Sequence, residues 1–426
     1  MQIGSTIQDR RTKKQRGSAM ENVAITGMGV ISSIGSNFDE VNRNFAEAHV
    51  AVQAAPWAGE EGLEYAWVSL INDFKPEDWM DDRVISGSDP FTWYAIAAAV
   101  QAVEDSGLTE FDPRRTAVIM GSALGGSESV AAAQHGLDTV GPDGVSRKLQ
   151  LQAWNNMAAA HIALRWDLHG PMLTLSTACA SAHDAIGTAA RMIEAGIVDV
   201  AITGASDSAR SKLQIFTMGK YGMFSQQPDP YKACMPFDVN RTGVMPGEGA
   251  GVLVLERADR AKARGATIHG RIRGYGSLAD AYHPSSPEPE GKWEQVAMED
   301  ALADAGMAAE AVDALFAHGT ATTVGDIAEA KAINRLFAGH ETPLPVASVK
   351  GHLGHTAGGA GVFSLFGGMA SMKANAVIPN AGTKNVDPIV EFNAVINEPF
   401  ETKVETIQVN AFGFGGQNAS MIVTQE

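Results

Sequence analysis

Only two cysteines, Cys179 and Cys234, stand in a chain of 426 residues. Two are too few for a disulfide framework and fit free thiols in a reducing, cytoplasmic setting. No apolar run is long enough to span a membrane, so membrane insertion is not expected. The N-terminus has no apolar signal core, which argues against secretion. Positive charge is scarce: 32 Lys and Arg face 49 Asp and Glu, for a formal net charge of -17. That balance argues against general nucleic-acid binding. It does not exclude docking of an acidic protein, which needs only a local basic patch. Aromatic residues make up 7%, so the core is expected to be small and aliphatic. No Gly-rich stretch is followed by the GK[ST] of a phosphate loop.

Glycine is plentiful, with 45 residues, which favours tight turns and close backbone approach. Residues 1–21 include the basic, non-periodic run DRRTKKQRGS and read as a disordered or tag-like extension. From there the pattern alternates between strands and helices. NVAITGMGV (22–30), TAVIMGSALGG (116–126), VDVAITGAS (198–206) and GAGVLVLER (249–257) read as apolar strands. FTWYAIAAAVQAVEDSGL (91–108) reads as a helix stopped at Gly107. DALFAHGT (313–320) reads as a strand entering a loop, DIAEAKAINRLF (326–337) as a helix, and ETIQVNAFGFGGQNASMIV (405–423) as two strands around a glycine turn. This alternation predicts an α/β fold. Cys179 and His355 each lie between a strand and a small-residue helix. That likeness divides the chain into two pseudo-repeated halves, 22–265 and 266–426.

Three segments carry chemistry. TACAS (177–181) places Cys179 at a strand-to-helix turn, where helix N–H groups favour a thiolate. Cys234 lacks that context and reads as structural or incidental. HGTATTVGD (318–326) and KGHLGHTAGGAG (350–361) set His318 and His355 in Gly-rich loops after apolar strands. Neutral imidazoles there can polarise a thioester carbonyl and stabilise an enolate formed on loss of carbon dioxide. A metal is the rival reading, but no Cys or His cluster has close zinc spacing. His283, His340 and His352 have no comparable setting. Lys350, after the apolar VASV, is expected to be partly buried and to tune the histidines or orient a water. Asp326 is expected to cap a helix, with a link to Lys350 compatible with that. In AFGFGGQNAS (411–420) the N–H of Phe414, together with that of Cys179, could form an oxyanion hole.

Together these strings, with PFDVNRTGVMPGEGAGVLVLE (236–256), resemble the β-ketoacyl-acyl-carrier-protein synthases. The resemblance covers nearly the whole chain from about residue 22. It implies a thiolase-like five-layered αβαβα fold and a dimer. It implies that Cys179 accepts an acyl chain from an acyl carrier protein, and that His318 and His355 support decarboxylation of a malonyl carrier thioester. Lys350 matches the family's active-site lysine. No cofactor is implied beyond the phosphopantetheine arm that the carrier brings. Leu124, Thr320, Thr322, Phe414 and Gly415 become candidate substrate contacts, with Leu124 as a gate at the acyl pocket. Arg147, Lys148 and Lys220 become candidate carrier-docking residues, because DDRVISGSDPF (81–91) lacks most of the basic residues expected there. Ser364 stands where fatty-acid members usually carry Glu, and Gln417 where Thr is usual. GHT resembles modular polyketide enzymes. The resemblance therefore implies decarboxylative condensation in fatty-acid or polyketide elongation, by a homodimer or a heterodimer with a chain-length factor. A binding subunit without catalysis is disfavoured by Cys179. A thiolase or starter-type synthase is disfavoured because no second C-terminal Cys is present and His355 is not Asn.

Overall fold

The computed structural model describes residues 23–61, 63 and 65–426, so the expected extension over 1–21 lies outside the described residues. Eleven strands form one hydrogen-bonded sheet. In the first half they are β1 (Val23–Ser32), β2 (Thr116–Gly121), β3 (Met172–Leu175), β4 (Val200–Asp207) and β5 (Gly249–Arg257). In the second half they are β6 (Gly270–Ala279), β7 (Ala314–Phe316), β8 (Pro345–Ala347), β9 (Asn393–Ala394), β10 (Thr406–Gly413) and β11 (Gln417–Thr424). The order across the sheet is β9-β8-β7-β10-β11-β6-β1-β5-β4-β2-β3. Setting β9 aside, each half runs third, second, fourth, fifth, first in its own chain order. The directions repeat as well: β2 is parallel to β3 and β4, and β7 is parallel to β8 and β10. The remaining pairs within each half are antiparallel. The halves join where β1 runs antiparallel to β6, from Val23↔Ile272 to Ile25↔Gly270.

Helices complete five layers. α1 (Pro90–Ser106) and α2 (Met157–Arg165) cover the outer face of the first half. α3 (Ser181–Glu194), on β2 and β4, meets α6 (Ala360–Ala374), on β7 and β10, in the central layer. α4 (Lys292–Ala305) packs on β6 and β11, with α5 (Thr323–Leu336) beside it. Central helices touch sheet on both sides, so α6 is buried along nearly its whole length. The third strand-turn-helix of each half therefore delivers its turn to one shared centre.

The repeat is written in small residues. β1 carries Gly27 and Gly29, and β6 carries Gly274 and Gly276. A Cβ on these would lie 2.0, 1.9, 2.1 and 2.3 Å from the carbonyl oxygens of Ala102, Ala98, Ala301 and Ala297. Strand backbone thus lies directly on helix backbone in both halves, which only glycine permits. The two central turns match too. Ala178, at φ +50, opens a 3₁₀ turn Ala178–Ala180 ahead of α3, and Ala357, at φ +48, opens Ala357–Gly359 ahead of α6. Alanine in this left-handed region is uncommon and must be held by its surroundings. Cys179 therefore has Gly358 as its counterpart in the second half. Among the described residues no helix is long and apolar enough to cross a membrane.

Because both G-x-G contacts are backbone to backbone, Gly29→Ala and Gly276→Ala are each expected to cost about 1–3 kcal/mol or more. Urea unfolding measures this, and a change within error in both variants would contradict the packing described.

Candidate active site

β3 leads through Thr177 into the turn that carries Cys179, and α3 starts two residues later at Ser181. Ser181 locks the turn: its hydroxyl donates to Ala178 O at 2.7 Å and accepts from Thr177 N at 2.9 Å. The β10–β11 hairpin closes over it. A Cβ on Gly413 would stand 2.9 Å from Cys179 N, so this approach needs glycine. The close contact brings the Phe414 N–H to the Cys179 sulfur, beside the N–H of Cys179 itself. The expected helix-stabilised thiolate is not what results. Burial pushes the Cys179 thiol up to about 11, and Lys350 and the two amides offset only part of it. Cys179 at rest is a thiol.

His318 follows β7 and His355 follows the short helix Lys350–Leu353. Their rings meet edge to face with centroids 5.4 Å apart. One ligand atom from each of Cys179, His318 and His355 lies within 4.8 Å of the others. Lys350 is 1% exposed, more buried than the sequence suggested. Its ammonium donates to His318 O and lies 3.3 Å from His318 Nδ1. Burial, then Lys350, holds His318 well below its usual pKa, and the same two causes push His355 down to about 3. Both rings are neutral at physiological pH. Their tautomers follow from their neighbours. Ala357 N–H donates to His355 Nδ1 at 3.0 Å, which leaves the ring proton on Nε2. An ammonium can only donate, so Lys350 sets the same tautomer in His318. Two N–H donors thus converge on the thiol. A metal-binding histidine instead donates its second nitrogen to an acceptor, so the polarity of these rings suits an oxyanion, although the three ligand atoms lie close enough together to hold a metal ion.

Buried groups that no local motif announced hold these loops. Glu329, on α5, accepts from His318 N at 2.8 Å, Gly319 N at 2.7 Å and Asn410 Nδ2 at 3.2 Å. Arg241 donates to Asp387 at 2.8 Å and to the carbonyls of Asp238, Thr322 and Thr323. Asp326 is not the helix cap that was expected. Thr322 takes that position and accepts from Gly325 N at 3.2 Å, because its side chain lies on the non-helical residue before α5. Asp326 sits one turn in, accepts from Phe237 N at 2.8 Å and lies 3.6 Å from Arg241. The one signal for Glu329 was its place three residues after Asp326 on the same helix face.

The remaining candidates divide. Thr320 and Thr322 stand beside His318 with hydroxyls 2.9 Å apart. Gly415, at φ +84, shapes the turn that exposes Phe414. Leu124 lies in the loop after Gly121, whose Cα rests on the Ser181 carbonyl next to the nucleophile turn. Lys148 is exposed and donates to Ser86 Oγ at 2.7 Å, which puts its charge on the segment that lacks basic residues. Arg147 is its exposed neighbour, and Lys220 ends a separate helix, Lys212–Lys220. Ser364 is buried with no hydrogen-bond partner for its hydroxyl among the described residues, on the helix face where Gly361 receives the ring of His183. Cys234 is buried, as expected of a structural thiol.

Comparison with known proteins follows this geometry. Residues 20–261 match the family model described as beta-ketoacyl synthase, N-terminal domain, and residues 269–384 that of the C-terminal domain. The chain is 34% identical over 406 residues to 3-oxoacyl-[acyl-carrier-protein] synthase 2 of Coxiella burnetii (strain RSA 493 / Nine Mile phase I), covering 95% of this chain and 98% of that protein. Among solved structures, the ishigamide ketosynthase/chain length factor superposes with a TM-score of 0.89 at 30% identity, covering 95% of this chain and 99% of that one. A beta-ketoacyl synthase from Burkholderia phymatum STM815 gives 0.88 at 32%, covering 96% and 100%.

A thiol with a pKa of about 11 is mostly protonated at neutral pH, so alkylation of Cys179 by iodoacetamide is expected to rise about tenfold per pH unit through the weakly alkaline range. Lys350→Met removes the cation that lowers this pKa, so alkylation at any one pH should slow further. Peptide mapping of the adduct gives both rates, and a plateau near neutrality would contradict the assignment.

Proposed function

The chain belongs to the beta-ketoacyl synthase family, a family of condensing acyltransferases of fatty-acid or polyketide synthesis, and on that premise we propose how its residues divide the reaction. Cys179 Sγ attacks the thioester of an acyl chain brought by the carrier protein. The N–H groups of Cys179 and Phe414 receive the oxyanion. The thiol proton leaves with the carrier's phosphopantetheine sulfur, and the acyl group stays on Cys179. A malonyl carrier thioester then loses carbon dioxide, and the Nε2–H groups of His318 and His355 hold the resulting enolate. Its carbon attacks the acyl-Cys179 carbonyl, and release of the Cys179 sulfur gives the β-ketoacyl product. Lys350 keeps His318 in the donating tautomer. The observation that carries this reading is the convergence of two neutral imidazole donors on one half-buried thiol.

The pantetheine arm would pass Thr320, Thr322, Phe414 and Gly415, with the acyl chain beyond Leu124. Arg147, Lys148 and Lys220 would meet an acidic carrier. No resident cofactor is needed, since every step uses protein donors and the carrier's own thioester. A cytoplasmic location fits the free thiols and the absence of a spanning helix among the described residues. The proposed division at about residue 265 falls between β5 and β6, and the two halves share one sheet through β1 and β6.

A dimer is supported by an open edge. Among the described residues β3 pairs only with β2, and Met172 and Leu173 on it are 42% and 41% exposed. Leu164, on the α2 helix that packs against β3, is exposed as well, and the helix Ser127–Val140 of the same half has no buried residue. An apolar edge strand left in water invites pairing with a second chain. That chain is a second copy or, as the name of the ishigamide ketosynthase/chain length factor suggests, a chain-length subunit.

Intact-protein mass after mixing with a panel of acyl carrier proteins tests the roles. An acyl adduct is expected in the wild type and none in Cys179→Ala. His318→Ala and His355→Ala should still acylate, yet lose condensation by about a hundredfold or more. Full condensation by Cys179→Ala would sink the proposal. Separately, Leu173→Lys is expected to shift the assembly toward monomer in analytical ultracentrifugation, and an unchanged sedimentation profile would place the interface elsewhere.

A further inference from the structure

Asp207 closes β4 and is fully buried. Its carboxylate gathers donors from two loops distant in sequence. Oδ1 accepts from Ser122 Oγ at 2.8 Å, Leu124 N at 2.9 Å and Gly125 N at 3.3 Å. Oδ2 accepts from Ala123 N at 2.9 Å and Gly358 N at 2.7 Å. Every one of these partners donates, so the site fits an ionised carboxylate, and only that form satisfies it. The first four belong to the loop that carries Leu124. The fifth is the counterpart of Cys179, three residues after His355. A Cβ on Gly358 would lie 2.7 Å from both Ala123 N and Asp207 Oδ2, so the two loops are in direct contact here.

We propose that Asp207 is a positioning residue that ties the loop bearing Leu124 to the His355 turn, so that acyl-chain selection and condensation are set by one buried carboxylate. The proposal rests on the functional reading above. The geometry argues for coupling rather than simple packing. A side chain serving only β4 would not need five donors from two other segments. The Ser122 hydroxyl also accepts from Gly125 N at 3.1 Å, which braces the gate side alone. Charge-assisted bonds of this kind are strong and directional, so a shift of one loop is felt by the other.

The two sides can be loosened separately. Ser122→Ala removes a bond on the Leu124 side and leaves that to Gly358. Asp207→Asn weakens both, because an amide presents donors to donors. Two rates are read on folded protein: acylation of Cys179 with short, medium and long acyl carriers, and decarboxylation of malonyl carrier. Ser122→Ala is expected to change the long-to-short acylation ratio about tenfold, as loss of one charge-assisted bond implies, with decarboxylation unchanged. Asp207→Asn should change both. If either variant lowers all rates by one common factor that follows its loss of thermal stability, Asp207 is structural only and the proposal falls. Should Asp207→Asn not fold, an unchanged chain profile in Ser122→Ala overturns it alone. Wild-type protein that never acylates Cys179 would instead sink the underlying function.

Discussion

Desolvation of one small volume sets the character of this site. A buried lysine and imidazole and a half-buried thiol and imidazole lie together, largely withdrawn from water, and each is pushed toward its neutral form. For most catalytic cysteines that would be a defect, since a thiolate is the better nucleophile. Here it suits the half-reaction that follows. An enolate is best held by neutral N–H donors fixed in advance, and two imidazolium rings so close together would repel. Lys350 adds the bias. Its charge opposes protonation of both rings and, in the opposite sense, favours the thiolate whenever the thiol ionises.

The fold supplies that volume by duplication. Each half sends a strand, a turn opened by a left-handed alanine and a central helix to the same place. The twin turns are then used differently. In the first half the residue after the strained alanine is Cys179. In the second it is Gly358, whose amide is given to Asp207. In the proposed mechanism one turn keeps its donors for an oxyanion, while the other gives its own to a protein carboxylate. The same backbone device thus serves as reactant in one half and as scaffold in the other.

Much of this was legible in the chain. Strands such as 249–257 and the stop at Gly107 followed from apolar runs and breakers. Cys179, His318 and His355 were visible because each sits in small-residue sequence after an apolar strand. Asp207, Glu329 and Arg241 were not, because they act through backbone N–H and C=O groups far away in sequence, and a carboxylate that binds peptide amides leaves no local pattern. The thiol was misjudged for a related reason. Proximity to a helix start can be read from sequence, whereas the desolvation that outweighs it comes from β10, α6 and the histidine loops closing over the turn. The repeat was seen only as topology, although the G-x-G of β1 and β6 recurs because backbone lies on backbone in both halves.

Where the two halves stop being alike is where function enters. The outer edge of the second half is closed by β9, which pairs with β8 at Pro345↔Asn393 and Val346↔Ala394. The matching edge of the first half, β3, has no such strand among the described residues. The half that carries the nucleophile is therefore also the half left open to association, and β3 runs straight from that edge into the Cys179 turn. A partner seated on β3 would bear on the strand that leads into Cys179 and, through its pairing with β2 at Gly121↔Leu175, on the Leu124 loop that follows β2. With Leu124 as the proposed gate, chain selection and association would share one structural element, and a change of partner would alter the chain length accepted with no change in the residues proposed to perform the chemistry.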